Sequence, residues 1–421
     1  MIEMPSVVGD VVRSVGLSTA MRAAGMVTGL LPIPQPMLLI GPGASRRLGE
    51  AICRFGHRKV LIVTDRVVAG MGLPDALIEA LTEGGTAHVV FDAITPDAPI
   101  PLIEKGIAFY EKHGCDAVVA FGGGSPMDAA KTIALAVTNK KHPRKLVGYF
   151  KGLRTPAPIY AVPTTAGTGS EVTVAAVISD PQTNRKLVIA DTRLVPAMAA
   201  LDPSLMTGLP RHVTASTGMD ALTHAVEAFV GHWSTAHTDR MALAAVGMIY
   251  GNLRIAYRNG RNLAAREQMA LAATCAGFAF TRANVGYVHA IAHQLGGKYH
   301  TPHGLANAIM LPHVLKFLSP AITKKLAVLA VRAGVGKAGD RPVTLAKKFI
   351  DSVEMLNRDL GIPQQLDALR EADIPELAKA ACWEADTNYP VPRYMSPQTC
   401  EEILRQVLPK AAPRGKRQTR V

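Results

Sequence analysis

The apolar pattern of the chain changes character close to its midpoint. Up to about residue 201, short apolar runs alternate with helical segments. These runs span residues 37–40, 59–64, 87–91, 117–121, 159–162 and 199–201. Alternation of this kind predicts a mostly parallel sheet covered by helices. After Pro210, segments 215–230 and 236–257 show helical periodicity and almost no strand pattern. We therefore predict an α/β domain over residues 37–207 and an all-helical domain over residues 208–408.

The two ends of the chain lie outside these predicted domains. Residues 1–36 are mildly apolar but interrupted by charges, so they predict neither a signal peptide nor the roughly 18-residue apolar run of a membrane span. Residues 409–421 form a basic tail, in which five Lys and Arg residues occur without an acid. The full length of 421 residues exceeds the usual size of a single core. We therefore expect an N-terminal extension, two domains and a basic tail.

Charge and cysteines limit the functional class. The formal net charge of +13 raises nucleic acid as a partner, but part of the excess lies in the tail and no aromatic-basic recognition motif accompanies it. We interpret the charge as weak attraction for anionic cofactors and substrates, with salt-dependent nucleic-acid binding through the tail as the alternative. The five cysteines are far apart and form no Cys-x-x-Cys pair, which indicates reduced thiols and a cytoplasmic protein.

A glycine-rich turn directly follows the apolar run 117–121. It reads Gly-Gly-Gly-Ser-Pro over residues 122–126. The three glycines let the backbone approach a phosphate closely, and a pyrophosphate would lie at the N-terminus of the following helix. Ser125 is predicted to cap this helix, with Asp128 three residues on and Pro126 at its first position. A turn that contains glycine for steric reasons alone is the alternative.

Three further features favour a dinucleotide site. Asp65 follows the apolar run 59–64, where a carboxylate could grip the adenosine ribose and repel the extra phosphate of NADP. An ordinary turn or helix-cap aspartate is the alternative. Residues 161–171 are dense in hydroxyls and glycine, and could hold phosphates and the nicotinamide. Lys186 supplies a flexible cation, although a solvated surface lysine is the usual case. NAD is the predicted cofactor.

Side chains that bind metals recur in the second half of the chain. Asp220 and His224 are four residues apart, which places both on one helix face. His289 and His293 repeat this spacing, and His303 follows a glycine-containing loop. Any one of these histidines alone is more often an ordinary surface or core residue. Together, Asp220, His224, His289 and His303 predict a site for one divalent cation. One carboxylate and three imidazoles suit Fe(II) or Zn(II), and the absence of a thiolate favours Fe(II).

Together these motifs resemble the iron-containing (group III) alcohol dehydrogenase family. Its hallmarks are the Gly-Gly-Gly-Ser loop, a Pro-Thr-Thr-x-Gly-Thr stretch, here from Pro163, and a Gly-x-Asp-Ala-x-x-His helix, here from Gly218. The resemblance implies a dehydroquinate synthase-like architecture, with the active site in the cleft between the domains. It implies that the four side chains above are the metal ligands and that His293 is a catalytic histidine near the nicotinamide. The NAD site would be lined by Asp65, Gly122, Gly123, Gly124, Ser125, Thr164, Thr165, Thr168 and Lys186.

By this resemblance the chain is expected to be an alcohol dehydrogenase. Hydride would pass reversibly between NAD and a primary alcohol, held as its alkoxide on Fe(II) or Zn(II), while His293 relays the proton. A homodimer or larger homo-oligomer is expected. Residues 383–393 differ from the shorter Thr-x-Asn-Pro-Arg segment of many relatives, and the N-terminal extension is longer than a minimal member needs. The alternative on the same scaffold is a lyase similar to dehydroquinate synthases, which would release phosphate without net NADH.

Overall fold

The computed structural model describes residue 25 and residues 31–183 and 185–409 of the chain. Most of the predicted N-terminal extension, and residues 410–421 of the predicted basic tail, therefore lie outside the described residues. Within the described part of the chain, no helix is both long enough and apolar enough to cross a membrane.

The described residues form nine strands and thirteen α-helices. The strands are β1 (Met37–Ile40), β2 (Lys59–Val63), β3 (Ala87–Phe91), β4 (Ala117–Gly122), β5 (Gly148–Tyr149), β6 (Ile159–Pro163), β7 (Ala175–Asp180), β8 (Arg185–Ala190) and β9 (Met198–Leu201). The helices of the first half are α1 (Ala44–Arg54), α2 (Arg66–Gly70), α3 (Asp75–Glu83), α4 (Ile100–His113) and α5 (Gly124–Asn139). Those of the second half are α6 (Arg211–Val230), α7 (Ala236–Arg258), α8 (Leu263–Ala283), α9 (Tyr287–Tyr299), α10 (His303–Arg332), α11 (Pro342–Asp359), α12 (Ile374–Asn388) and α13 (Pro397–Arg405).

Six strands form one parallel sheet in the order β1-β9-β6-β4-β2-β3. They are the strands that the apolar runs predict, so this part of the prediction is confirmed. A second sheet, in the order β5-β8-β7, was not predicted. In β7 buried residues alternate with partly exposed ones, and most of β8 is exposed or half-buried, so neither strand carries a continuous buried apolar run.

The large sheet is buried on both faces. All six residues of β4 and all five of β6 are buried. Alternate side chains point to opposite faces, as the pleat requires. Val118 and Ala120 pack with α4 and α5, whereas Val119 and Phe121 pack with α1 and α3. This burial on both faces explains why the central strands are almost entirely apolar in sequence.

The second half is helical, as predicted, and no strand follows Leu201 among the described residues. Its central element is α6, in which buried residues occur on every side of the last three turns. Polar side chains of α6 such as Asp220, His224 and Glu227 are therefore removed from solvent along with their apolar neighbours. Buried charged and polar groups need partners, so this helix is where a functional site is expected.

The two halves touch where the loop after β6 meets α8. Gly169 has a φ of 60°, and a Cβ added there would lie 2.7 Å from the carbonyl oxygen of Ala273. A Cβ added at Gly277 would lie 2.6 Å from Val172 Cγ2 and 2.8 Å from the carbonyl oxygen of Gly169. The buried Glu171 accepts a hydrogen bond of 2.7 Å from Thr274 Oγ1 beside this contact. Glycine thus sets how closely the loop after β6 approaches the helical half.

We predict that Gly277→Ala destabilises the protein. The new methyl group must displace backbone at Gly169, and overpacking of this kind costs about 1–3 kcal/mol, more than the gain of up to about 1 kcal/mol from replacing a helical glycine. Gly251→Ala on α7 is the matched control, because an added Cβ there meets nothing within 4 Å. Thermal unfolding should show a lower midpoint for Gly277→Ala and an equal or higher one for Gly251→Ala. An unchanged midpoint for Gly277→Ala would contradict the close contact.

Candidate active site

The four predicted metal ligands converge. Asp220 and His224 lie on α6, His289 on α9, and His303 is the first residue of α10. One ligand atom of each residue lies within 4.8 Å of the corresponding atoms of the others. The first three side chains are buried and His303 is partly exposed. Residues separated by more than 80 positions in sequence are thus brought to one point by three helices.

Gly304 allows α10 to approach α6. A Cβ added at this position would lie 2.4 Å from the carbonyl oxygen of Ser216 and 3.2 Å from Asp220 Cβ. Only glycine permits backbone contact this close. The first turn of α10 therefore rests on α6, and His303 Nε2 lies 3.5 Å from Asp220 Oδ1.

Glu227 orients His289 from the side opposite the cluster. Its Oε2 accepts hydrogen bonds from His289 Nδ1 at 2.6 Å and from the Gly286 amide at 2.9 Å, and its Oε1 accepts one from the Val288 amide at 2.7 Å. Because Nδ1 donates, Nε2 of His289 carries the lone pair toward the cluster. Burial raises the pKa of Glu227 to about 7, although hydrogen bonds from backbone amides and the nearby His293 oppose this effect.

Our sequence reasoning did not identify Glu227. It follows His224 by three residues and Asp220 by seven, so it lies on the same helix face as both predicted ligands. This spacing is the feature of the sequence that could have identified Glu227. An acid on a ligand face is, however, also what an ordinary solvated helix shows, and only the packing around α6 distinguishes the two.

Asn307, one turn after His303, occupies the centre of the cluster. Its Nδ2 donates to Asp220 Oδ1 at 2.7 Å and lies 3.1 Å from His303 Nε2 and 3.2 Å from His289 Nε2. An amide nitrogen has two hydrogens and cannot satisfy three acceptors. Among the described residues, Asn307 Oδ1 and His224 Nδ1 are also buried without a hydrogen-bond partner. Acceptor atoms therefore outnumber donors here, and such a set fits a divalent cation.

The histidines of the cluster are held uncharged. Burial lowers the pKa of His303 to about 4, and it also lowers the pKa of His224, in both cases against the opposing charge of Asp220. Burial and the neighbouring histidines lower the pKa of His289 well below its ordinary value. Near neutral pH each imidazole is therefore neutral and has one nitrogen with a lone pair, which is the state that a metal ligand requires.

The predicted catalytic residue His293 lies beside this cluster. It follows His289 by one turn of α9, and its ring stacks on that of His303 with centroids 5.4 Å apart. The ring of His289 lies edge-on to it, with centroids 6.1 Å apart. His293 Nδ1 contacts Glu384 of α12 at 2.6 Å, so this histidine has a partner of its own outside the cluster.

The two predicted cofactor loops lie side by side. Gly122 of β4 pairs in register with Pro163 of β6, and the Thr164 amide donates to the carbonyl oxygen of Gly122 at 3.0 Å. A Cβ added at Gly124 would lie 2.9 Å from Thr168 Cγ2, and one at Gly123 would lie 3.5 Å from Thr165 Oγ1. The glycines and threonines named from the sequence therefore line one shared surface at the carboxyl edge of the sheet.

The predicted capping role of Ser125 is wrong. Helix α5 begins at Gly124, with Gly123 as its N-cap, and no side chain caps it. Ser125 Oγ instead accepts a hydrogen bond of 3.0 Å from the Asp97 amide, and Asp128 Oδ1 accepts one of 3.1 Å from Ser170 Oγ. Because the helix starts two residues earlier than expected, its first amides carry no side-chain partner. They stay available to an anion.

Asp65 caps a helix and also faces the glycine loop. Its Oδ1 accepts hydrogen bonds of 2.9 Å from both the Val67 and Val68 amides at the start of α2. Its Oδ2 lies 3.7 Å from the position of a Cβ built on Gly122. The helix-cap alternative is therefore present, and it leaves one carboxylate oxygen directed at the cofactor loop.

Lys186 pairs with Asp97 rather than standing free. Its Nζ forms a short ion pair with Asp97 Oδ1, and the lysine side chain is about four-fifths buried. The charge of Lys186 contributes to the lowered pKa of His303. The lysine therefore lies between the glycine loop, which Asp97 contacts through Ser125, and the histidine cluster.

We predict that Glu227→Gln weakens metal binding. The glutamine amide cannot accept all three hydrogen bonds, so His289 loses its fixed tautomer, and loss of such a contact typically costs 10–100-fold in metal affinity. The exposed Glu402→Gln is the matched control. Competition with a chelator measures the affinity of each variant. Equal metal affinities for Glu227→Gln and the unaltered protein would show that Glu227 does not support metal binding.

Both halves of the chain match one protein family. Residues 35–203 match the family described as iron-containing alcohol dehydrogenase, and residues 214–408 match the Fe-containing alcohol dehydrogenase family, C-terminal. The chain is 40% identical over 370 residues to 1,3-propanediol dehydrogenase of Klebsiella pneumoniae, which covers 87% of this chain and 95% of the relative. It is 36% identical over 375 residues to NAD-dependent methanol dehydrogenase of Bacillus methanolicus, covering 89% and 98%.

Solved structures agree with these matches. A 1,3-propanediol oxidoreductase superposes with a TM-score of 0.87 at 39% identity, covering 90% of this chain and 100% of the other. An alcohol dehydrogenase from Oenococcus oeni gives a TM-score of 0.86 at 34% identity, covering 89% and 99%. Sequence and fold thus agree over nearly all of the described residues. The chain belongs to the iron-containing alcohol dehydrogenase family.

Proposed function

We propose that this protein reversibly oxidises short primary alcohols or diols with NAD at an Fe(II) centre, for which Zn(II) is the alternative metal. Family membership makes it a metal- and NAD-dependent alcohol dehydrogenase. Relatives are named for 1,3-propanediol, lactaldehyde and methanol, which supports a small substrate. The observation that carries the assignment of the metal site is the excess of buried acceptor atoms around Asn307.

The chain's own residues hold the reacting groups in place. When bound, the divalent cation lowers the pKa of the alcohol hydroxyl and NAD accepts the hydride. Asp220, His224, His289 and His303 would hold that cation. The first three side chains are buried and His303 is partly exposed. We assign acceptance of the hydroxyl proton to His293. Its ring contact with His303, at 5.4 Å between centroids, supports this role.

We assign the NAD pyrophosphate to the N-terminus of α5. The free first amides of this helix and the adjoining threonine loop support the assignment. The residues proposed for the cofactor are Asp65, Gly122, Gly123, Gly124, Ser125, Thr164, Thr165, Thr168 and Lys186. We assign Asp65 to the adenosine ribose, and propose that Lys186 exchanges Asp97 for the cofactor when NAD binds.

We also propose a cytoplasmic location and a homo-oligomeric state. All five cysteines are free thiols, two of them only partly buried, which supports a reducing compartment. The predicted domain boundaries near residue 207 and residue 408 remain part of this proposal.

The test of the function uses metal-stripped protein that is reloaded anaerobically with Fe(II) or Zn(II). NAD and a panel of methanol, ethanol, 1,2-propanediol and 1,3-propanediol are then supplied, and NADH is followed by its absorbance. We expect metal-dependent NADH formation with at least one of these alcohols. His224→Ala should abolish it, whereas His212→Ala, an exposed histidine on the same helix, should not change it. The absence of NADH with either metal, although metal and NAD both bind, would contradict the proposal.

Asp65→Asn should relax the discrimination against NADP. The amide keeps an oxygen for the α2 amides but removes the charge that opposes the extra phosphate. Two unit charges about 4 Å apart interact by roughly 4 kcal/mol at a protein surface, so the ratio of kcat/KM for NADP over NAD should rise at least about tenfold. The control is Asp367→Asn, an exposed residue of the helical half. An unchanged ratio for Asp65→Asn would leave Asp65 as a helix cap alone.

A further inference from the structure

Glu384 contacts His293 from a separate helix. Glu384 lies on α12. Its Oε1 accepts a hydrogen bond of 2.6 Å from His293 Nδ1. The two residues are 91 positions apart, so their spacing in sequence gives no signal of this contact.

Two further donors fix the Glu384 carboxylate. Tyr389 donates its hydroxyl hydrogen to Oε1 at 2.6 Å, and Gln294 Nε2 donates to Oε2 at 2.7 Å. The side chain of Glu384 is 19% exposed, and that of His293 is 15% exposed. Burial raises the pKa of Glu384, but His293 and these hydrogen bonds outweigh it, so the pKa lies below its ordinary value. The group is an ionised acceptor with both oxygens engaged.

The contact determines which nitrogen of His293 carries the hydrogen. A carboxylate only accepts, so Nδ1 must donate, and the lone pair of the neutral ring then lies on Nε2. The stack on His303 restricts the plane of the ring, with 17° between the two ring planes. The tautomer and the orientation of His293 are therefore both set by neighbours outside the metal cluster.

We propose that Glu384 is the positioning residue for proton transfer, because it holds His293 in the tautomer whose Nε2 can accept the hydrogen of the alcohol hydroxyl. This inference rests on the proposed function. The alcohol gives its hydride to NAD and its proton to Nε2, which leaves an aldehyde and a His293 imidazolium that keeps its Nδ1–H bond to Glu384. Glu384 remains a carboxylate throughout.

A second contact between α12 and α9 provides a structural control. Tyr287, the first residue of α9, donates its hydroxyl hydrogen to Asp386 Oδ1 at 2.6 Å. This bond joins the same two helices but does not touch His293. Tyr287→Phe removes this bond without changing the shape of the ring, and it also removes the hydrogen bond of 2.8 Å that the Met395 amide donates to the same hydroxyl. If Glu384 merely held α12 against α9, this variant would have the same effects as removal of Glu384.

The experiment compares Glu384→Ala, Glu384→Gln and Tyr287→Phe in the Zn(II)-loaded protein. Histidine labelled with nitrogen-15 reports the tautomer of each ring by NMR, and His293→Ala assigns the signal of His293. In the unaltered protein we expect hydrogen on Nδ1. In Glu384→Ala we expect the signal to move toward the tautomer with hydrogen on Nε2, kcat to fall about 100-fold, and the dissociation constant for NAD to change less than about twofold. Glu384→Gln keeps a neutral acceptor, so its kcat should lie within about tenfold of that of the unaltered protein.

Either readout can overturn the proposal. An unchanged His293 signal in Glu384→Ala would show that Glu384 does not set the tautomer. An equal loss of kcat in Tyr287→Phe would show that packing of α12, not the carboxylate, matters. If the unaltered enzyme oxidises no alcohol, the proposed function fails, whereas the NMR signal still decides whether Glu384 positions His293.

Discussion

The helical half of this protein is organised around a cluster in which buried hydrogen-bond acceptors outnumber the hydrogens available to them. Asp220 Oδ1, His289 Nε2 and His303 Nε2 all face the single amide nitrogen of Asn307. An unsatisfied buried polar group lowers the stability of the folded state by about 1–3 kcal/mol. The arrangement therefore destabilises the fold unless a cation binds the unpaired acceptors. We therefore expect a metal bound at this cluster to stabilise the folded protein.

Neighbouring residues fix the orientation of the histidines of the site. Glu227 fixes His289, Glu384 fixes His293, and the close backbone contact at Gly304 sets His303 against α6. Helix α10 packs against both α6 and α9, and α12 packs against α9. The contact of Gly277 with the cofactor loop then brings the α/β half to this metal centre.

The sequence predicted the parallel sheet from short-range patterns. It predicted the metal ligands from short-range spacings together with the family resemblance, because no local pattern joins His289 and His303 to Asp220. Continuous apolar runs identified the buried strands, and the i, i+4 spacing brought Asp220 and His224 to one helix face. Contacts between distant segments had no such signal, and so Glu384 was not predicted. The second sheet was missed because β7 and β8 are only partly buried. The prediction that Ser125 caps α5 was wrong because this helix starts two residues earlier than expected. Glycines occupy its start, so no side chain there caps its first amides.

The most direct test of the metal centre is anomalous diffraction at the iron edge from crystals loaded anaerobically with Fe(II). We expect one peak about 2.0–2.2 Å from a ligand atom of each of Asp220, His224, His289 and His303. We also expect Asn307 Nδ2 to lie farther from Asp220 Oδ1 than 2.7 Å in these crystals, because the bound cation takes the lone pairs of the ligand atoms. Bound iron located elsewhere, or no peak between these four side chains at full iron loading, would contradict the proposed metal site.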